Sequence, residues 1–161
     1  MSDPEEIAAR AKEAFPAEPV PSKDALFKDH CDECIDVSNA FGVRPWTAVP
    51  LRDIVGKETA LLTAAAWQYY LPAMISWCVR DPETLDFLPD FLVYQLEPPE
   101  PGKTDEWFVE RKDGFSDAQR KVIIAYLEWY RTRLEAEYAT LEMTPPRHVY
   151  RALEYWRGAP E

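Results

Sequence analysis

His30-Cys31-Asp32-Glu33-Cys34 concentrates the soft-ligand chemistry of this chain, with two of its three cysteines and one of its two histidines within five residues. Two thiolates three positions apart can reach one tetrahedral zinc, and His30, or the distant Cys78 or His148, would complete the ligand set. Zinc motifs of high specificity bring a second Cys/His pair at short, regular spacing, and this chain has none. Cys31 and Cys34 also fall on an apolar stripe with Phe27, Ile35, Ser38 and Phe41, where small cysteines pack as core residues. The spacing predicts a buried, metal-free pair, with His30, Cys31 and Cys34 kept as the metal candidates. Thiol redox chemistry is disfavoured, because such cysteines open a helix after a strand in an α/β fold that this pattern does not announce. The order His-Cys-x-x-Cys also reverses that of a c-type haem attachment.

No other group stands out as a nucleophile or base. The chain lacks Gly-x-Ser-x-Gly, a phosphate-cradling Gly-rich loop and His-Glu-x-x-His. Asp32, Glu33 and Asp36 around His30 read as the solvated face of a helix. Glu97, Glu100, Asp105 and Glu106 lie in a Pro-rich loop without calcium-loop spacing. No catalytic residue and no cofactor is expected. The aromatics suggest binding instead: Trp107 adjoins the acidic loop, and Trp129 lies off the main apolar face of its helix beside Arg133.

The elements that would position these groups all read as helices or breaks between them. Asp3 and Pro4 open a first helix that Phe15-Pro16 closes, and Pro16 to Pro21 is a stiff connector. Ser22 is expected to cap a helix running to about Asn39, ended by Phe41-Gly42. A short helix from Leu51 precedes the most apolar segment, capped by Thr63 and kinked at Pro72. Asp81-Pro82-Glu83 opens another helix, interrupted at Pro89 and stopped at Pro98, and Trp107-Phe108-Val109 reads as a short extended piece. Ser116 and Gln119 form a capping box for a long helix whose face runs from Val122 to Leu141. Thr144-Pro145 opens the last helix, ending at Gly158. The expectation is an all-α, single-domain helical bundle with a Pro-kinked central helix. Within residues 1–161, the N-terminal helix and connector occupy 1–22 and the core bundle 23–158.

Composition agrees with a folded domain: 161 residues, 47% hydrophobic and 13% aromatic, with six tryptophans and eight tyrosines suited to a core or an interface. The net charge of −11 is uneven. Residues 1–41 hold ten acids and four bases, and 81–106 hold eight acids and one base. Such a field repels nucleic acid and anionic membranes and attracts a basic protein. An acidic start without an apolar h-region gives no secretory signal. The run Ala64–Val79 would reach roughly 24 Å as a helix, short of a bilayer core of roughly 30 Å. Three cysteines without export features point to the cytoplasm and no disulfide framework.

Leu62-Thr63-Ala64-Ala65-Ala66-Trp67-Gln68-Tyr69-Tyr70-Leu71-Pro72-Ala73 resembles the central motif of a family of small bacterial proteins of unknown function, which has Leu-Thr, an aromatic, then Tyr-Leu-Pro-Ala. Phe115 to Gln119 with Tyr126 to Trp129 resembles its second block, Ala152 to Trp156 its closing one, and His30 to Cys34 is similar to a further block. Ala64-Ala65 stands where the family more often has Pro-Glu. The resemblance implies a helical bacterial cytoplasmic protein and carries no activity, cofactor or catalytic residue to transfer.

Two functions remain open at this point. The first is a non-enzymatic interaction module for a basic protein partner, as in immunity or inhibitory proteins, with Asp32, Asp36, Glu97, Asp105, Trp107 and Trp129 as partner-binding candidates. The alternative is a zinc-binding or enzymatic domain centred on His30-Cys31-x-x-Cys34. Oligomeric state is not legible in either case.

Overall fold

The computed structural model of the protein describes residues 2–158. Residue 1 and residues 159–161, which the single-domain reading also covered, lie outside the described residues. The fold is all-α, with no strand among the described residues. Among the described residues nine α-helices follow one another: α1 Pro4–Ala14, α2 Asp32–Phe41, α3 Leu51–Ile54, α4 Ala64–Arg80, α5 Pro82–Leu85, α6 Leu88–Leu96, α7 Glu106–Arg111, α8 Asp117–Thr140 and α9 His148–Arg157.

Helix α4 is the axis of the bundle. Its N-cap Thr63 accepts the Ala66 N–H at 3.2 Å, and its length is almost wholly apolar, so it can only be stable with every face covered. Helices α1, α6, α7 and α8 pack around it, and α9 closes the far side on α8 and α6. Pro72 stands in the middle of α4 and cannot donate to the Gln68 carbonyl, yet the helix is unbroken across it. Ser76 donates its hydroxyl to the Pro72 carbonyl at 2.6 Å one turn on. Ile7 and Ala11 of α1 are fully buried against α4 and α8, and Arg80 grips Glu5 through two bonds at 2.9 and 2.8 Å.

The aromatic surplus resolves mainly into core. Trp67, Trp156, Tyr70 and Tyr126 are among the largest fully buried side chains. Their polar edges find acceptors, as buried rings of this kind require. Trp156 donates to Leu96 O at 2.8 Å and Tyr126 to Pro89 O at 2.7 Å, while the Tyr70 hydroxyl lies 3.0 Å from both Phe41 O and Arg44 O. The Leu96 and Phe41 carbonyls close helices α6 and α2 and Arg44 lies in a bend, where backbone acceptors are left free, whereas Pro89 is in the first turn of α6.

Several elements differ from expectation. The helix expected from Ser22 begins only at Asp32; residues before it form a single 3-10 turn, Lys23–Ala25, and irregular chain. Thr63 explains the difference: its N–H donates to Leu26 O at 2.8 Å and its hydroxyl to Ala25 O at 2.7 Å, so the start of α4 holds this segment in non-helical form. The stripe shifts accordingly, with Val37 buried and Ile35 half exposed. Trp107-Phe108-Val109 is helical, not extended, because Asp105 caps α7 through the Trp107 and Phe108 amides. Helix α9 starts at His148, after Arg147 at its N-cap, later than the Thr144-Pro145 start expected. The capping box of Ser116 and Gln119 is present as read.

Candidate functional site

The cysteine pair lies at the start of α2, not in the middle of a longer helix. Cys31 is the N-cap residue and Cys34 the third residue of the helix, and the Cys34 N–H points at the Cys31 sulfur at 3.1 Å. The two sulfurs are bonded to each other as a disulfide. The expected absence of disulfides is thus corrected: a Cys-x-x-Cys turn brings the two Cα atoms to 5.0 Å, within bonding reach. Burial is unequal. Cys34 is 3% exposed, whereas Cys31 is only partly covered, which corrects the expectation that both are core residues.

His30 is exposed beside the pair and meets Phe27 edge-on at 6.3 Å. Among the described residues no group of three or more His, Cys, Asp or Glu is placed to hold a metal. In the bonded state Cys31 and Cys34 offer no thiolate to one. The remaining soft ligands lie inside the bundle: Cys78 in α4 is fully buried, its thiol pushed up by desolvation, and His148 in α9 is stacked on Tyr94 at 4.4 Å.

A cleft of about 290 Å³ runs past Cys34, walled by Phe27, Leu62, Trp107 and Arg111. Arg111 is 5% exposed and had no signal in the sequence beyond its charge. Its guanidinium donates to Leu62 O at 2.7 Å and Trp107 O at 3.0 Å and lies 4.0 Å from the centre of the Trp107 ring. Its Nε is buried without a partner.

The acidic segment 81–106 builds a second feature. Helices α5, α6 and α8 enclose a cleft of about 220 Å³ lined by Glu83, Asp86, Asp90 and Glu137, with Arg133 and Tyr130 on its α8 wall. Asp86 turns the chain between α5 and α6 with φ of 51°, a region that residues with a side chain seldom occupy. Arg133 pairs with Glu83, and Tyr130 donates its hydroxyl to Asp90. Asp86, Asp90 and Glu137 make no ion pair among the described residues. Partial desolvation, with the Glu137 and Asp86 charges adding to it against Arg133, raises the Asp90 carboxyl above its ordinary value. Phe87, beside Asp86, and Tyr94, one turn after Asp90 on α6, are each 54% exposed.

The candidates read from the sequence are dispersed. Asp32 is exposed in the first turn of α2, and Asp36 accepts from Lys57 at 2.7 Å. Glu97 is partly buried, bonded to Arg151 at 2.6 Å, and raised by desolvation more than Arg151 lowers it. Asp105 is committed to capping α7. Trp107 and Trp129 are not free anchors. Trp107 donates to Ala60 O at 3.0 Å and meets Trp67 edge-on, while Trp129 is 7% exposed and stacked on Tyr126. Phe87 and Tyr94 are exposed rings beside acid that the sequence reading missed. A signal existed: apart from Asp90 and Gln95 the segment from Phe87 to Leu96 is apolar or aromatic, more than one neighbouring core can cover.

A family model described as a family of unknown function (DUF6714) matches residues 4–159. No curated protein and no solved structure matches the chain.

Proposed function

The chain belongs to that family of unknown function, and from this premise we propose that it acts as a non-enzymatic interaction module for a basic protein partner. The observation that carries this reading is the α5–α6–α8 cleft. Asp86, Asp90 and Glu137 line it with no ion pair of their own among the described residues, and two exposed rings lie close by in the chain, Phe87 next to Asp86 and Tyr94 one turn after Asp90. A lysine or arginine side chain entering there would offset the desolvation, and the lesser repulsion from Glu137 and Asp86, that raise Asp90, and the nearby rings would cover its aliphatic stem. Such a partner is drawn in by the net charge of −11 and seated by the cleft. A basic partner also makes nucleic acid and anionic membrane surfaces poor ligands, since both carry the wrong sign. No helix among the described residues is long and apolar enough to cross a membrane. A cytoplasmic setting and an immunity-like or inhibitory role fit this reading.

The test is binding kinetics between the full chain and basic proteins encoded beside its gene, measured across salt concentrations. Association that slows steeply with salt, and that weakens in Asp90→Asn and Glu137→Gln, is the expected result. Association indifferent to salt would leave the carboxylates as solubilising charge only.

A further inference from the structure

The Cys31–Cys34 disulfide has a geometry that packing does not require. Only Asp32 and Glu33 separate its ends, so it removes little chain entropy from the unfolded state. The core around α4 is assembled from α1, α6, α7, α8 and α9, none of which the bond ties down. The pair nevertheless sits where sulfur chemistry is favoured. Cys31 caps α2 and receives the Cys34 N–H, the arrangement that stabilises a thiolate at a helix start. Cys31 is open to solvent on one side, whereas Cys34 is enclosed along the Phe27–Trp107 cleft. Cys31 is thus the more accessible residue of the pair.

We propose that Cys31 and Cys34 form a reversible dithiol–disulfide couple that exchanges with an external dithiol or glutathione, Cys31 being the sulfur that exchanges and Cys34 the one that resolves. In the reductive direction an external thiolate attacks Cys31 Sγ. The Cys31–Cys34 bond breaks, Cys34 leaves as a thiolate and takes up a proton, and a mixed disulfide joins Cys31 to the donor. A second donor thiolate then attacks the donor's own sulfur and releases Cys31. The donor pair is oxidised by two electrons to a disulfide, and Cys31 and Cys34 gain two electrons and two protons. The proposal is independent of the acidic cleft and of its partner.

The full chain is equilibrated in glutathione buffers of graded oxidised-to-reduced ratio, acid-quenched, unfolded, alkylated and weighed. The mass is expected to pass reversibly from one alkyl group, on Cys78, to three, with Cys31 and Cys34 appearing together. A pair that stays bonded at every ratio is a staple, and one that stays reduced at every ratio has no disulfide state; either overturns the proposal. Cys34→Ser is expected to take glutathione on Cys31 about ten-fold faster or more than Cys31→Ser takes it on Cys34. Equal rates would overturn the assignment of Cys31 as the exchanging sulfur. Stoichiometric zinc that holds the reduced pair out of exchange would replace the couple with a metal site. The wild-type titration stands even if a variant fails to fold.

Discussion

Trp67 donates its indole N–H to the Gln95 side-chain oxygen at 2.8 Å, joining α4 to α6 inside the core. Gln95 passes the connection on, donating its amide to the Thr59 hydroxyl at 3.2 Å. Thr59 is fully buried and Gln95 is 7% exposed, so water cannot replace either bond.

Gln95→Leu is expected to destabilise the protein by about 2–4 kcal/mol, because it orphans two buried polar groups at once. Urea unfolding should show a lower midpoint with an unchanged slope. A midpoint equal to that of the wild type would mean that the Trp67–Gln95–Thr59 chain adds nothing to stability.

Protonation of His148 should set an acid limit on stability. Burial holds its imidazole below the ordinary value, and its Nε2 has no partner. The unfolded chain therefore takes up the proton first. The stabilising contribution is complete above the ordinary value of about 6.5 and is lost as pH falls from there through the folded value. His148→Phe, which can keep the stack on Tyr94, is expected to flatten that fall in urea midpoints between about pH 5 and pH 7. An unchanged pH slope would assign the acid sensitivity to other groups.

Arg111 and Trp107 are expected to behave as structural residues. Arg111→Met removes the side-chain donor to the Leu62 and Trp107 carbonyls, leaving the buried Leu62 acceptor without it, and should cost about 2–4 kcal/mol. Arg111→Lys should lose nearly as much, since a single ammonium cannot span both carbonyls and the ring face. Trp107→Ala should lower the thermal midpoint rather than speed dissociation of any partner. A Trp107→Ala protein as stable as wild type would return that ring to the list of free anchors.

Charge reversal in the acidic cleft separates steering from anchoring. Asp86→Lys with Glu137→Lys should slow association with a basic partner and flatten its dependence on salt. Phe87→Ala should instead speed dissociation, by about 2 kcal/mol if the ring is a hot spot. Rate constants from surface-immobilised chain resolve the two effects, and a Phe87→Ala complex with unaltered lifetime would remove the ring from the interface.

The elements legible in the sequence are those whose signals are local. The capping box at Ser116 and Gln119, Thr63 before α4, and the apolar face of α8 each lie within a turn or two of what they specify. The start of α2 was not legible, because Phe27, Cys31 and Cys34 keep helical spacing while Thr63 captures Ala25 and Leu26 from a distant part of the chain. Trp107 misled for the same reason. Its exposure is decided largely by Ala60 and Trp67, which no local pattern can associate with it, together with Arg111 one turn on in α7. The acidic cleft was half legible: the surplus of acid in 81–106 was plain, but Glu137 arrives from α8.

The placement of α1 also has a consequence for how the molecule comes into being. Ile7 and Ala11 fill a slot whose walls are α4 and α8, the latter ending at Thr140. A ribosome makes the plug long before the second wall exists. Until α8 emerges, the apolar side of α1 has no permanent cover, and the contacts that finish the bundle join the two ends of the sequence. The full seating of α1 therefore has to wait for α8, and a nascent chain arrested short of α8 keeps one side of that helix uncovered.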